Sequence, residues 1–232
     1  MSTYEYVGGE LELFANAGNW KRYFADLLHP FVRGRVLEVG AGIGETARVL
    51  SNASVASWVC VEPDPALADR IAAVRLATGE RPAIIVGDIT ATPAAPAFDT
   101  ILYIDVLEHI EDDGGELARA AERLAPGGHL VILAPAFQFL FSAFDRAIGH
   151  HRRYTKRTLA RAAPRGVVPV MVRYVDSAGM LLSLANRMLL RQSLPKLRQI
   201  LFWDRRVIPL SRRIDPWLRH RFGRSIIGVY RR

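Results

Sequence analysis

The stretch that most constrains this chain is residues 36–50, VLEVGAGIGETARVL. Residues 36–39 have the apolar pattern of a short buried strand, and residues 46–50 begin a helical pattern. Between them, Ala41 and Ile43 alternate with three glycines, Gly40, Gly42 and Gly44. A strand that turns through glycines into a helix brings its backbone close to a ligand. The spacing G-x-G-x-G differs from the G-x-G-x-x-G of dinucleotide-binding folds, so the turn alone leaves both a ligand site and an ordinary strand-to-helix turn open.

Acidic residues stand at the ends of the strand patterns that follow the turn. The predicted strands cover residues 56–62, 83–86, 98–106 and 129–134, and helices are predicted at 66–78 and 116–125. Strands that alternate with helices are typical of an α/β fold with a doubly wound, parallel sheet, which binds ligands at the carboxyl ends of its strands. Three of those ends carry Glu62, Asp88 and Asp105. Glu62 follows the glycine turn at the distance expected of an acid that holds ribose hydroxyls.

The composition limits the class of protein. The chain has 232 residues, enough for a single domain with a full hydrophobic core. Cys60 is the only cysteine and lies in an apolar run, which predicts a buried thiol and excludes an intrachain disulfide. The acidic N-terminus does not resemble a signal peptide, and no apolar run is long enough to span a bilayer. We therefore expect a cytoplasmic protein that is soluble or peripheral at the inner face of the membrane.

The charge is distributed unevenly along the chain. Residues 1–150 contain 11 basic and 20 acidic residues, whereas residues 151–232 contain 20 basic and 3 acidic ones. Such asymmetry indicates an anionic partner for the basic part. The alternative is that the two parts neutralise each other in the fold.

Much of the basic charge lies in residues 177–224, beside apolar and aromatic residues. This composition is typical of a surface that contacts an anionic membrane or a lipid-phosphate substrate. The alternatives are a helical cap over the substrate pocket and a homodimer interface. Nucleic acid is disfavoured as a partner, because no recognition motif is present.

Five segments together resemble the class I S-adenosylmethionine-dependent methyltransferases. They are VLEVGAGIG, VEPD, VGDI, FDTILYIDVLEHI and LAPGGHLVILAP, in the family's order, within residues 34–136. The later segment His151–Thr155 is similar to the His-x-Arg-Tyr-Thr segment of a bacterial branch of small-molecule methyltransferases. The resemblance implies a Rossmann-like, mostly parallel sheet of seven strands, the last two near residues 167–176 and 225–230, with a helical insertion at 177–224 before the last strand.

The resemblance also divides the chain and assigns the cofactor site. It implies a helical lead-in at residues 1–34, a cofactor-binding core at 35–136 and a substrate-side part at 137–232. S-adenosylmethionine would be held by Glu38, Gly40, Ala41, Gly42 and Gly44 at its methionine end, by Glu62 and Pro63 at the ribose, by Asp88 and Ile89 at the adenine, and by Asp105 beside the methyl group. The alternatives are that Glu38 pairs with Arg35 and that Asp88 only caps a helix.

The expected reaction moves a methyl group to an oxygen, or less readily a nitrogen, of a small or lipid-linked acceptor. A hydroxyl acceptor needs a base, and histidine suits that task near neutral pH. The candidate bases are His109, His150 and His151, with Glu108 less favoured, and the residues assigned to catalysis are His109, His150 and Asp105. The rival functions are a nicotinamide-dependent oxidoreductase and a non-catalytic module that binds a cofactor or docks on a membrane.

A metal site is a second interpretation of the segment around Asp105. Asp105, Glu108 and His109 fall at i, i+3 and i+4, so they can share one helical face and offer ligands to a divalent metal. The segment is similar to the Glu-x-x-Glu-His pattern of some metal-dependent O-methyltransferases. Asp105 replaces the first glutamate of that pattern, and we assign no metal ligand.

Overall fold

The computed structural model describes residues 10–185 and 195–232. Its strands are β1 (Gly34–Val39), β2 (Val55–Glu62), β3 (Ala83–Val86), β4 (Phe98–Ile104), β5 (Leu124–Pro135), β6 (Val168–Val175) and β7 (Ser225–Arg231). They form one seven-stranded sheet in the order β3-β2-β1-β4-β5-β7-β6. The pairs from β3 to β5 are parallel, and β7 runs antiparallel to both β5 and β6. The predicted Rossmann-like, mostly parallel sheet is therefore confirmed.

Helices flank the sheet and connect its strands. They are α1 (Glu10–Ala15), α2 (Gly18–Leu28), α3 (Glu45–Leu50), α4 (Pro65–Ile71), α5 (Asp113–Arg123), α6 (Ala143–Ala147), α7 (Lys156–Ala162), α8 (Ser177–Ala185), α9 (Leu197–Phe202) and α10 (Ile208–Trp217). A short 3₁₀ helix, Leu107–His109, follows β4. In the described ranges, no helix combines the length and the apolar character needed to cross a bilayer.

The order of the strands sets which residues meet at the edge where ligands bind. The parallel strands β1 to β5 all end at this edge. Because β7 is antiparallel to β5, it begins there, with Ser225 opposite Pro135. Residues that precede β7 therefore lie beside residues that follow β4 and β5, although more than 80 positions separate them along the chain.

Two predicted boundaries are wrong for identifiable reasons. The helix predicted to run to residue 78 ends at Ile71, because the following chain turns inward to bury Leu76 and to donate from the Ala77 amide to the Ser51 hydroxyl at 2.9 Å. The helix predicted to end at residue 125 ends at Arg123. Residues 124–128 belong to β5, where the Pro-Gly-Gly segment forms an irregularity in the pairing with β4.

The predicted insertion consists of α8, α9 and α10, and it lies between β6 and β7. A π-helical turn, Trp203–Val207, joins α9 to α10 just before a proline, which has no N–H to continue the α-helical pattern. The helix predicted from Ser177 to residue 192 is seen to Ala185, and residues 186–194 lie outside the described ranges.

Buried acids attach the insertion to the rest of the fold. Asp215 accepts the Tyr23 hydroxyl at 2.8 Å and the Asp176 amide at 2.7 Å. Asp204 accepts the Trp20 amide at 2.9 Å. These bonds hold α10 and the π-helical turn against α2, so residues from the start and the end of the chain close over the same edge of the sheet.

Candidate active site

A cavity of about 540 Å³ lies at the carboxyl edge of the parallel strands. The predicted site residues in its wall are Gly40, Ala41, Gly42, Glu62, Pro63, Asp88, Asp105, His109 and His150. Three others, Glu38, Gly44 and Ile89, lie outside the wall.

The glycine turn after β1 is shaped by backbone that other residues adopt only with strain. Gly40 and Gly44 have φ of 67° and 77°. A Cβ on Gly40 would lie 2.7 Å from Val106, and one on Gly44 would lie 2.7 Å from Val74. The amides of Gly40 and Ala41 donate to the Val61 carbonyl, at 2.8 and 3.1 Å. The turn therefore packs tightly between β2 and β4 and leaves its outer surface free for a ligand.

Glu62 holds this turn in place from the end of β2. Its Oε2 accepts the Gly42 amide at 2.7 Å, and its Oε1 accepts the Asp64 amide at 3.0 Å. Burial raises the pKa of Glu62. Each carboxylate oxygen keeps a second lone pair, so the group can accept ligand hydroxyls while it holds the turn. Its position in the wall fits a ribose diol.

Below the turn, the Glu38 carboxylate accepts hydrogen bonds from two side chains of β2. Its Oε2 accepts the Trp58 indole N–H at 2.9 Å and the Cys60 thiol at 3.6 Å. Burial raises the pKa of Glu38 to about 7. The alternative pairing with Arg35 is wrong, because Arg35 pairs with Asp99 at 3.4 Å. Cys60 is buried, as predicted, and burial raises the pKa of its thiol.

Asp88 and Ile89 follow β3 with different surroundings. Asp88 faces the cavity and caps the short 3₁₀ helix that follows, accepting the Thr90 amide at 2.8 Å. Hydrogen bonding from Thr90 lowers its pKa. One carboxylate oxygen of Asp88 therefore caps the helix, as the alternative proposed, and the other oxygen can still bind a ligand. Ile89 is fully buried in the core beneath.

Asp105 follows β4 in the centre of the cavity. Its φ of 53° is unusual for a residue with a side chain. Its amide donates to the Leu133 carbonyl at 2.8 Å, which fixes this conformation, and its carboxylate faces the cavity. Desolvation in the cavity raises the pKa of Asp105 to about 6, although the electrostatic interactions with His150 and Arg224 act to lower it. Such a group suits the neighbourhood of a cationic ligand.

The predicted bases His109 and His150 come together across the cavity, with ring centroids 4.6 Å apart. Burial lowers the pKa of His109 to about 4, so this ring is neutral at physiological pH. His150 Nδ1 lies 3.0 Å from Asp145 Oδ1, and its Nε2 lies 3.8 Å from Glu108 Oε1. His150 therefore has one nitrogen bound to the Asp145 carboxylate and the other near the Glu108 carboxyl group.

Asp145 is a site residue that the sequence analysis missed. It is fully buried and accepts Arg153 Nε at 2.8 Å, Arg153 Nη2 at 3.0 Å and the Ser142 hydroxyl at 2.7 Å. Although burial alone would raise its pKa, hydrogen bonds from His150 and Arg153 hold the pKa of Asp145 well below its usual range. The available signal was the pattern Ser142-x-x-Asp145, a helix capping box, five residues before His150.

The side chains of Glu108, His109 and His150 form the group that could hold a metal ion, since their ligand atoms lie within 4.8 Å of one another. This group differs from the predicted set, because His150 takes the place of Asp105. Burial raises the pKa of Glu108 well above its usual range, and its Oε2 has no hydrogen-bond partner among the described residues. These three side chains are suitable ligands for a transition metal. They can equally form a metal-free cluster of one buried acid and two imidazoles.

Aromatic side chains form another part of the cavity wall. They come from the N-terminal helices, α6 and the π-helical turn: Phe14, Trp20, Phe144 and Trp203. Arg224, which the sequence analysis also missed, lies in this wall just before β7. No local pattern marks Arg224, since only the pairing of β7 with β5 brings it to the cavity.

Known proteins share this architecture. A profile of the methyltransferase domain family matches residues 15–172. A methyltransferase from Archaeoglobus fulgidus, described as S-adenosylmethionine-dependent, superposes with a TM-score of 0.59 at 14% identity, over 96% of this chain and 97% of its own. One from Mesorhizobium loti superposes with a TM-score of 0.58 at 18% identity, over 95% and 100%.

A curated relative is more similar in sequence but over a shorter region. The tRNA U34 carboxymethyltransferase of Chromohalobacter salexigens is 32% identical over 118 residues, which are 49% of this chain and 35% of that protein. The chain thus spans about a third of the length of this relative. The family match covers more than half of the chain and decides against a nicotinamide-dependent oxidoreductase. The chain belongs to the methyltransferase domain family.

Proposed function

We propose that this chain is an S-adenosylmethionine-dependent methyltransferase that methylates an oxygen of a small or lipid-linked acceptor, with His150 as the general base. The observation that carries the proposal is the contact of 3.0 Å between His150 Nδ1 and the buried carboxylate of Asp145. An oxygen acceptor must lose a proton, and an imidazole whose orientation is fixed by a carboxylate can take it. A nitrogen acceptor is the less favoured alternative.

The residues in the cavity wall fit S-adenosylmethionine, which supplies a methyl group on a positively charged sulfur. We assign the ribose hydroxyls to Glu62, with Pro63 beside it, and the adenine amino group to Asp88, with Ile89 beneath. Gly40, Ala41 and Gly42 would face the methionine end, whereas Gly44 and Glu38 would support that turn from below. Carboxylates and a compact backbone suit a cation with a neutral nucleoside, and a phosphate would meet repulsion here.

His150 and Asp145 would act on the acceptor side. The acceptor hydroxyl would give its proton to His150 Nε2 as its oxygen bonds to the methyl carbon, while the methyl–sulfur bond breaks and S-adenosylhomocysteine leaves. Asp145 would hold the Nδ1 proton and stabilise the imidazolium that forms. Asp105 would face the positive charge near the methyl group, and neutral His109 would pack against the His150 ring.

The test of the base is turnover in the His150→Gln variant. We expect turnover to fall by about 10²–10⁴-fold, while the affinity for S-adenosylhomocysteine stays close to that of the wild type. His151→Gln is the matched control, because His151 is the exposed neighbour. Full turnover in His150→Gln would contradict the assignment, and the same assay on His109→Ala would then test the second imidazole as the base.

The outward face of the last helical segment supports contact with an anionic membrane. Phe202, Leu210 and Trp217 are 56%, 50% and 88% exposed. The exposed Arg206 and Arg213 fall between them, at steps of three or four residues that keep all five on one side of a helix. Apolar and basic side chains interleaved on one face are typical of helices that lie at a membrane surface.

Sedimentation with vesicles tests this contact. We expect binding to vesicles that contain phosphatidylglycerol, weaker binding at high salt, and none to vesicles of phosphatidylcholine alone. The double variant Phe202→Ser/Trp217→Ser should bind less, whereas Val168→Ser, at an exposed apolar residue of β6, should bind as the wild type does. Equal sedimentation of both variants would contradict the proposed surface.

The class of acceptor can be found by transfer of labelled methyl groups from S-adenosylmethionine into cell extract. Label in the organic fraction would support a lipid-linked acceptor, and label in the small-molecule aqueous fraction would support a soluble one. The curated relative is named for tRNA, so the RNA fraction is measured as well. Label there would overturn the small-molecule proposal.

A further inference from the structure

Arg224 is a cation in the cavity wall whose side chain packs against aromatic rings. Its Cζ lies 4.7 Å from the centre of the Trp203 ring and 6.0 Å from that of Phe14. Within residues 10–185 and 195–232, its guanidinium makes neither a hydrogen bond nor an ion pair. The nearby basic residue of the cavity, Arg153, differs because Asp145 takes it in two hydrogen bonds.

The chemistry of a guanidinium determines what it can bind in this position. It has five N–H donors in one plane and no acceptor. Aromatic rings contact its flat face, which leaves the donors at its edge for a partner in the cavity. An anion with two oxygens, such as a carboxylate or a phosphate, matches that edge.

Two of the three acids around Arg224 are already engaged by other side chains. Burial lowers the pKa of Arg224, while Asp176, Asp105 and Asp145 act in the opposite direction. Asp176 accepts the Trp203 indole N–H at 2.8 Å, and Asp145 is paired with its own arginine. These acids lower the cost of burying the guanidinium without occupying its donors, so a ligand anion remains the missing partner.

The sheet places Arg224 on the acceptor side of the cavity. The glycine turn ends β1, and β7 is three strands away in the order β1-β4-β5-β7. Neighbouring strands lie about 4.8 Å apart, so roughly 14 Å separate these two ends of the cavity. Asp105, at the end of β4, lies between them. A cofactor seated on the glycine turn with its methyl group near Asp105 would leave Arg224 to the acceptor.

We infer that Arg224 binds an anionic group of the methyl acceptor, a carboxylate or a phosphate, while an apolar part of the acceptor packs against Phe14 and Trp203. This inference rests on the proposed function and specifies its substrate class. The acceptor is then an amphipathic hydroxylated acid, anchored by its anion at one end and offering its hydroxyl to His150. An uncharged analogue of the same shape would lack the anchor.

Binding of benzoate and benzamide to the protein saturated with S-adenosylhomocysteine tests this inference. The two probes have similar shape and differ in charge. We expect benzoate to quench the tryptophan fluorescence of the protein at lower concentration than benzamide, and Arg224→Gln to weaken benzoate binding about tenfold or more. Arg224→Lys should retain part of the affinity. Arg221→Gln, at an exposed arginine nearby, is the control and should bind benzoate as the wild type does.

Each other outcome is decisive. Equal binding of the two probes, no binding of benzoate, or unchanged binding in Arg224→Gln would overturn the inference. Weaker binding of S-adenosylhomocysteine in Arg224→Gln would assign the arginine to the cofactor carboxylate instead. If inorganic phosphate competes with benzoate, the result would support a phosphate on the acceptor. If benzoate binds and phosphate does not compete with it, the result would support a carboxylate. Failure of the wild type to bind S-adenosylhomocysteine would instead contradict the cofactor site itself.

Discussion

Replacement of Glu62 separates two tasks that one carboxylate performs. Its oxygens accept the Gly42 amide at 2.7 Å and the Asp64 amide at 3.0 Å, and we propose that they also accept the ribose hydroxyls. Glu62→Ala removes all of these bonds. Glu62→Gln keeps one acceptor oxygen and places an NH₂ group against one of the two amides, where donor would face donor.

The expected effects follow from the value of each bond. Loss of the ribose bonds in Glu62→Ala should cost about 1–3 kcal/mol of binding free energy, or about 5–150-fold in affinity. Glu62→Gln should lose about half of that free energy, because one acceptor remains. The turn should also loosen without ligand. We expect both variants to lose about 1–2 kcal/mol of folding stability, partly offset because burial already penalises the charged carboxylate.

Calorimetric titration with S-adenosylhomocysteine measures the affinity, and thermal unfolding without ligand measures the stability. A stability change of this size lowers the melting temperature by about 2–8 °C for a chain of this length. Glu80→Gln, at an exposed acid, is the control and should change neither quantity. Unchanged affinity in a folded Glu62→Ala protein would refute the ribose assignment. A lower melting temperature with unchanged affinity would show that Glu62 stabilises the glycine turn and does not bind the ribose.

Three further predictions concern charge in the site. Asp145→Asn leaves buried Arg153 without its anion and should lower the free energy of unfolding by about 3–5 kcal/mol at pH 7. Because the pKa of Asp145 is depressed in the fold, the difference in unfolding free energy between variant and wild type, measured in urea, should shrink as the pH falls below about 4. The pKa of Asp105 is raised to about 6, so the preference for S-adenosylmethionine over S-adenosylhomocysteine, whose sulfur is uncharged, should grow from pH 5 to pH 8, and Asp105→Asn should abolish this trend. If His150 is the base, a chelator should leave turnover unchanged; lost activity that a divalent ion restores would make Glu108 and both histidines metal ligands.

The fold could be predicted from the sequence because its signals are local. Glycines that need positive φ, acids at strand ends and alternating strand and helix patterns each fall within a few residues of one another. The order of the parallel strands then brings Gly42, Glu62, Asp88 and Asp105 to one edge, as the sequence pattern indicated. The helix boundaries that were wrong depended on distant partners, such as the Ser51 hydroxyl that receives the Ala77 amide.

The acceptor side could not be predicted in the same way. Arg224 reaches the cavity only because β7 reverses direction beside β5. In the sequence, Asp145 has the pattern of a helix-capping residue. Its contacts with His150 and Arg153 depend on the path of the loop that follows α6. The two arginines that precede α7 also pair with distant acids, Arg152 with Asp113 at 2.9 Å and Arg153 with Asp145.

The same long-range contacts explain how the basic part of the chain can be both neutralised and available to a partner. Three ion pairs between described residues connect it to the acidic part, through Arg152, Arg153 and Arg212. Its own three acids, at positions 176, 204 and 215, are all buried in hydrogen bonds. The surface of this part therefore has basic side chains that no acid of its own offsets. Removal of a buried acid would unfold the insertion, whereas removal of Arg206 or Arg213 should change only association with an anionic surface, which makes the two roles separable by experiment.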